Sequence, residues 1–293
     1  RALVQSGASI GEINAVRRAI SAVKGGGLAT LAPHAIQLSL IISDTNSGEE
    51  SNVASGPTFI HPPDTSSALD VVARYGLAAR LPSSILRAVA QAQAVKPAPA
   101  TNESLRKHYV LLTNEDAKAA AESAALARGF HVEVAGDIVE QEIASGCAQL
   151  LERLRSAHGR AASMGHVSCL LSGGEFACPV RTAHGRGGRN SETALRLALE
   201  IAAESAKSGR AAIPLAAHTV ALLAGTDGID GNSPAAGALS DETTLARAQS
   251  LGLNALQSLE TSDAYTFFQK LGDSIMTGPT DTNVRDLRIL LAG

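Results

Sequence analysis

Apolar residues at Ile10, Ile13, Val16 and Ile20 recur every three to four positions, the spacing of one buried helix face, and predict a helix over residues 10–23. Ser9 stands where an N-cap belongs with Glu12 three residues on, and Gly25-Gly26-Gly27 supplies a stop. Residues 36–43 form a short apolar run ending at Asp44, which reads as a buried parallel strand. Helices follow over 69–75, closed by Gly76, and over 81–95. The proline-rich stretch Lys96-Pro97-Ala98-Pro99-Ala100 then reads as part of a linker spanning 97–103, dividing a first domain (1–96) from a second (104–293). Beyond it, strands at 109–112, 131–135, 167–171 and 219–223 alternate with helices at 115–127, 139–157, 191–206 and 241–251, before a last apolar run at 287–291. That alternation predicts α/β layers around mainly parallel sheets, with ligand loops beyond the carboxyl ends of the strands.

Composition narrows the function. Hydrophobic residues at 45% and charged residues at 18% supply a sizeable core and exclude general disorder. A net charge of −3 lacks the basic footprint of a nucleic-acid binder. No apolar stretch approaches the roughly 20 residues a membrane helix needs. Cys147, Cys169 and Cys178 fit neither a disulfide framework nor a zinc site and read as small hydrophobes of a cytoplasmic protein. The chain opens on Arg1 in a helical pattern without signal-peptide character, as a fragment of a longer protein would.

Four glycine-containing loops hold the candidate chemistry. Ser172-Gly173-Gly174-Glu175 follows a strand and reads either as an anion nest or as an ordinary turn. His184-Gly185-Arg186-Gly187-Gly188-Arg189-Asn190 runs into a helix, where free N–H groups, the positive dipole end and guanidinium forks suit an anionic group; a solvated basic turn is the alternative. It is neither a Walker A loop nor a dinucleotide fingerprint. In Ala224-Gly225-Thr226-Asp227-Gly228-Ile229-Asp230-Gly231, two carboxylates at a strand end can hold a hard cation, take a proton from a hydroxyl, or merely form Asx turns. Thr277-Gly278-Pro279-Thr280-Asp281-Thr282-Asn283 offers hydroxyls and an amide to a polar ligand, or serves only as a connection. Ahead of the linker, Lys24 before its glycines is a candidate cation, and Asp44 a candidate metal or hydroxyl ligand.

Taken together, these motifs resemble the glycerate 2-kinase family. The four loops occur in the order of its C-terminal MOFRL domain; Glu12-Ile13-Asn14-Ala15-Val16-Arg17-Arg18, Lys24-Gly25-Gly26-Gly27, Ser43-Asp44 and Ser55-Gly56-Pro57-Thr58 resemble the latter part of its N-terminal domain. The resemblance implies two three-layer α/β/α domains, the first incomplete. It also implies an ATP- and Mg²⁺-dependent kinase that phosphorylates the 2-hydroxyl of D-glycerate in an interdomain cleft. Its partners would be that small molecule, with no nucleic acid or membrane, in an assembly that allows a homodimer. Arg189 and Asp227 fall at the catalytic positions. Lys24, Ser172, Gly173, Gly174, Glu175, Gly187, Gly188, Asn190, Thr226, Gly228, Asp230, Thr280 and Asn283 would contact substrate or nucleotide, and Asp44 and Asp227 the metal. The chain departs from the family at Ser47-Gly48, Ser191 and Asp281. Hydroxypyruvate reduction and an inactive remnant are the competing readings; the first wants a nicotinamide fingerprint that the sequence lacks.

Overall fold

The structure, a computed structural model, describes residues 2–60, 67–92, 105–182, 184–207 and 218–293, and divides the chain into two units, residues 1–41 with 45–111 and residues 42–44 with 112–293. The expected linker at 97–103 lies outside the described residues.

The first unit contains α1 (Ala2–Gln5), α2 (Ile10–Ala19), α3 (Gly27–Leu31), β1 (Gln37–Ile42), α4 (Ala68–Arg74), α5 (Ser83–Ala92) and most of β2 (Arg106–Leu112). The capping box opens α2 as its sequence predicts: the Glu12 N–H donates to Ser9 Oγ at 3.3 Å and the Ser9 N–H to Glu12 Oε2 at 2.9 Å. Helix α2 ends earlier than its apolar pattern, because Ser21 Oγ accepts from the N–H groups of Val23 (3.4 Å) and Lys24 (3.3 Å) and turns the backbone out of the helix. Val16 packs with Val71, Val72, Leu77 and Val89 in a small core of α2, α4 and α5. Strand β1 is not the buried strand expected: it pairs with β2 in a two-stranded sheet, and Leu38 and Leu40 are exposed. An apolar run reports what a strand could bury, not what covers it. The strand expected at the start of the second domain is therefore β2, and it groups with the first unit through Leu111.

The second unit contains α6 (Asn114–Leu126), β3 (His131–Ala135), α7 (Ile143–Ala162), β4 (Ser168–Gly174), α8 (Arg189–Lys207), β5 (Thr219–Gly225), β6 (Gly237–Asp241), α9 (Thr244–Ser250), α10 (Ala255–Glu260), α11 (Ala264–Leu271), β7 (Ser274–Ile275) and β8 (Asp286–Ala292). Its sheet has the order β3-β4-β8-β5-β6-β7. The α/β class stands, but the mainly parallel expectation is corrected here: β3 and β4 run parallel, while β4–β8, β8–β5, β5–β6 and β6–β7 are antiparallel. The last strand enters the centre of the sheet against both neighbours, a long-range choice that local periodicity does not encode. Strand β6 (Gly-Ala-Leu-Ser-Asp) has too little β-branched or aromatic character to be read as a strand.

The pleat of this sheet separates two cores. Leu170, Ala221, Leu223 and Leu290 face Ile143, Leu150, Leu154, Leu195, Phe267 and Phe268 of α7, α8 and α11. Cys169, Leu171, Ile289 and Leu291 face the other way, toward Ala121 and Ala125 of α6. At roughly 1.5–3 kcal/mol for each large apolar side chain fully buried, these layers hold the sheet rigid where its loops meet. Cys147 and Cys169 are buried and all three thiols are free; burial pushes the Cys147 and Cys178 thiols up to about 12 and Cys169 to about 11, which keeps them unreactive. Among the described residues no helix is long and apolar enough to cross a membrane.

Candidate functional site

Every α-helix begins with unpartnered backbone N–H groups. At the start of α8 these are satisfied from a distant part of the chain. Asp230 accepts from the N–H groups of Gly188 (3.0 Å), Asn190 (2.9 Å) and Ser191 (2.9 Å) and from Ser191 Oγ (2.6 Å). Burial raises the Asp230 carboxyl above its ordinary value, and the Ser191 and Asn190 donors offset only part of that rise. Asn232 adds two stitches, accepting from the Gly187 N–H at 2.8 Å and donating to the Gly185 carbonyl at 2.9 Å. Gly231, at φ +65°, lies so close to the Gly187 carbonyl that a Cβ there would collide with it. The expectation of free N–H groups at Gly187 and Gly188 is thereby corrected: Asp230 and Asn232 already occupy them. Asp230 is also corrected from a ligand contact to an internal clamp, since both its oxygens are engaged and it is 1% exposed.

The third and fourth loops are joined in the same way. Thr280 Oγ1 donates to the Thr226 carbonyl at 2.5 Å, and the Thr280 N–H to the Asp227 carbonyl at 3.1 Å. Thr226 Oγ1 donates to the Arg285 carbonyl at 2.7 Å and accepts from the Val284 N–H at 2.8 Å; Asn283 Oδ1 accepts from the Arg285 N–H at 2.8 Å. Thr226, Thr280 and Asn283 thus spend hydrogen bonds on holding the loops together. Gly228, at φ +82°, sits against the Gly278 carbonyl with no room for a side chain. Gly228→Ala is expected to destabilise the protein by roughly 1–3 kcal/mol, through the left-handed backbone and the forced separation of the loops, as measured by urea unfolding.

Ser172-Gly173-Gly174 is not a loop but the end of β4, in register with Arg288, Leu287 and Asp286. Ser172 Oγ donates to the Ile138 carbonyl at 2.7 Å, and the Gly174 N–H donates to Asn114 Oδ1 at 3.0 Å, so the anion-nest expectation for these residues is corrected as well. Asn114, the first residue of α6, also donates from Nδ2 to the carbonyls of Val284 (2.7 Å) and Asp286 (2.9 Å). Its Oδ1 fills the space where a side chain on Gly173 would lie. Arg288 is buried beneath this corner, its guanidinium 3.6 Å from the Phe176 ring centroid and donating to Ser172 Oγ at 3.0 Å; burial lowers it to about 10.

Arg189 stands at the centre. Its Nε donates to Asp286 Oδ2 at 2.6 Å, its Nη2 lies 2.6 Å from Glu175 Oε1, and Asn190 Nδ2 donates to the other oxygen of Asp286 at 2.9 Å. Burial by itself would lower the Arg189 guanidinium, but Asp286 and Glu175 outweigh it and hold it above its ordinary value. Burial pushes the Glu175 carboxyl up; Arg189 opposes this, while Asp286 and Asp44 add repulsion. Asp286 and Asn114 are the positioning residues that sequence reasoning missed. Asp286 was hidden at the edge of the 287–291 apolar run, where an acid directly before a buried strand was the one available signal.

A cavity of about 490 Å³ opens beside Arg189, lined among others by Gly188, Asn190, Asp227, Ile229 and Cys178. Asp227 Oδ1 accepts from the Ile229 N–H at 3.0 Å, an Asx turn, and Oδ2 takes no hydrogen bond among the described residues. A second cavity of about 530 Å³, lined by His184, Asn254, Gln257 and Lys270, contains neither Arg189 nor Asp227. In the first unit, Lys24 Nζ donates to the Ala54 carbonyl at 2.6 Å, and the N–H groups of Gly25 and Gly26 donate to the carbonyls of Ser55 (3.0 Å) and Gly56 (2.8 Å), which joins those two motifs. Asp44 is exposed and groups with the second unit. Among the described residues, no three His, Cys, Asp or Glu side chains come together as a metal site.

Residues 168–286 match the MOFRL family, and residues 1–90 match a domain of unknown function, DUF4147. The chain is 33% identical to glycerate kinase of Macaca fascicularis, covering 99% of this chain and 81% of that protein. It is 32% identical to D-glycerate 2-kinase of Thermotoga maritima, over 98% of this chain and 64% of the relative. An Agrobacterium vitis protein provisionally named a hydroxypyruvate reductase is 36% identical over 100% of this chain. The crystal structure of Thermotoga maritima glycerate kinase superposes with a TM-score of 0.74 at 32% identity, covering 100% of this chain and 66% of that one. The chain spans 63% of the length of the Agrobacterium protein, just under two thirds.

Proposed function

Because the chain belongs to the glycerate 2-kinase family, we propose that it carries the Arg189 side of an active site that transfers the γ-phosphoryl group of ATP to the 2-hydroxyl of D-glycerate, giving 2-phosphoglycerate. The observation that carries this reading is the placement of Arg189: a guanidinium fixed from behind by Asp286, about one-third exposed, at the wall of a cavity. Phosphoryl transfer asks a protein chiefly for positioning and for neutralisation of charge spread over the transferred group. Arg189 supplies the charge, either to the phosphoryl oxygens or to the glycerate carboxylate. Asp286, Asn190 and Asp230 supply the fixed geometry.

Mg²⁺ takes few protein ligands, one or two carboxylates alongside substrate phosphates. The unengaged oxygen of Asp227 at the cavity wall fits that demand; we assign Asp44, whose charge reaches Glu175, as the second carboxylate. When bound, the ion would neutralise phosphate charge. Asp227→Asn is expected to raise the Mg²⁺ concentration for half-maximal rate by roughly tenfold or more while leaving the melting temperature unchanged. A large fall in melting temperature with unaltered Mg²⁺ dependence would reduce Asp227 to a turn residue.

The reading is tested by coupled ADP release with D-glycerate, L-glycerate and tartronate as acceptors. ADP release that requires D-glycerate supports it; ADP release that is independent of all three acceptors, or is unaltered in Arg189→Ala, rejects it. The name of the Agrobacterium relative favours a second reading, hydroxypyruvate reduction, and NADH oxidation on adding hydroxypyruvate would select it.

A further inference from the structure

The two carboxylates on Arg189 are held differently. Asp286 has both oxygens hydrogen-bonded, to Arg189 Nε and Asn190 Nδ2, and its side chain is 2% exposed. Glu175 comes within 2.6 Å of Nη2, but its carboxylate accepts no hydrogen bond from any described residue, and its side chain is 32% exposed. One carboxylate belongs to the core; the other is kept in place by charge alone.

The direction of the guanidinium gives this difference a meaning. Nε of Arg189 is taken by Asp286 and Nη2 by Glu175, while Nη1 has no partner among the described residues; an external anion that takes the guanidinium through both Nη1 and Nη2 must therefore displace Glu175 from Nη2. We infer that Glu175 is a displaceable internal counter-ion, occupying on Arg189 the place of an incoming carboxylate or phosphoryl oxygen and vacating it when that ligand binds. The inference rests on the proposed role of Arg189 as an anion receptor, and it requires no turnover.

Several charges act on Glu175. Arg189 and Arg285 attract it, while Asp286 and Asp44 repel it. With Glu175 ionised, one guanidinium faces two carboxylates, and the site repels an anion. Burial favours the protonated form of Glu175, as does the repulsion from Asp286 and Asp44. Falling pH discharges Glu175, frees the Nη edge and strengthens anion binding; rising pH closes the site again. The same step serves a kinase site: a guanidinium kept neutralised between substrates does not collect stray anions, and it is released only to a ligand whose own charge is at least equal to that of Glu175.

The test is calorimetric titration of the 293-residue protein with sulfate, whose charge is constant over the range, and separately with tartronate, at about pH 8 and about pH 5.5. Sulfate is expected to bind wild type more tightly at the lower pH. Glu175→Gln and Glu175→Ala should each bind roughly three- to tenfold more tightly than wild type at the higher pH, with the pH dependence lost. Arg189→Ala should abolish binding in every background. A response to sulfate alone assigns the place to phosphoryl oxygens, to tartronate alone to a carboxylate, and to both to either group; each supports the inference. Unchanged or weaker affinity in both Glu175 variants, with melting temperatures equal to wild type, would overturn it and make Glu175 a positioning residue. ADP release that is independent of acceptor, with this binding pattern intact, would reject the kinase reading and leave the counter-ion standing.

Discussion

Arg189→Ala is expected to lower kcat/KM for D-glycerate phosphorylation by on the order of 10²–10³-fold, the effect of removing one preorganised donor from a site where charge develops. Arg189 is also the partner of Asp286, a carboxylate that is 2% exposed, so its loss strands a buried charge. Removing one member of a fully buried pair costs about 3–5 kcal/mol; because Arg189 is itself about one-third exposed, solvent screening brings the expected loss nearer to about 2 kcal/mol. The two effects separate by experiment. Arg189→Lys keeps the charge but not the planar fork, and should recover most of the stability and only a small part of the rate. Steady-state kinetics beside urea unfolding of the same proteins decides the matter: an alanine variant with wild-type kcat/KM removes Arg189 from the site.

Asp230→Ala is expected to destabilise the second unit strongly. It leaves the N–H groups of Asn190 and Ser191 without their acceptor at a buried helix start, and leaves the Gly188 N–H and Ser191 Oγ only their longer bonds to each other's residue. A lost N-cap costs up to about 2 kcal/mol and each stranded buried donor about 1–3 kcal/mol, so a total of roughly 3–5 kcal/mol follows after partial relaxation. Asp230→Asn retains an acceptor oxygen but sets an NH₂ group against backbone donors, and should fall between alanine and wild type. Activity should fall with stability in both, since Arg189 lies between Gly188 and Asn190, whose N–H groups Asp230 holds. A melting temperature unchanged in Asp230→Ala would show that the α8 start is held by other contacts.

Local rules carried much of the first reading. The Ser9–Glu12 capping box, β3 over residues 131–135 and the long helix read at 191–206 (observed from Arg189) follow from side-chain chemistry within a few residues, where periodicity and capping act. The four glycine motifs were also legible as a set, because glycines gathered at strand ends announce close backbone approaches whatever the approach is for. What stayed hidden lay between distant segments. The sequence distance from Asp230 to Gly188, or from Arg189 to Asp286, places no mark on either residue, so the first was read as a ligand contact and the second was not read at all.

The amino-acid sequence by itself determined the α/β class, the family and the identity of the polar groups available to the site. The tertiary structure decided which of those groups remain available. Backbone donors at Gly187, Gly188 and Gly174 look free in one dimension and are occupied in three, by Asn232, Asp230 and Asn114. Strand direction was decided in the same way: β8 enters between β4 and β5 antiparallel to both. The physical reason is common to both cases. Hydrophobic period and capping are local free energies that a short window contains, whereas the satisfaction of a buried donor and the choice of a strand's neighbour depend on which distant segment arrives there.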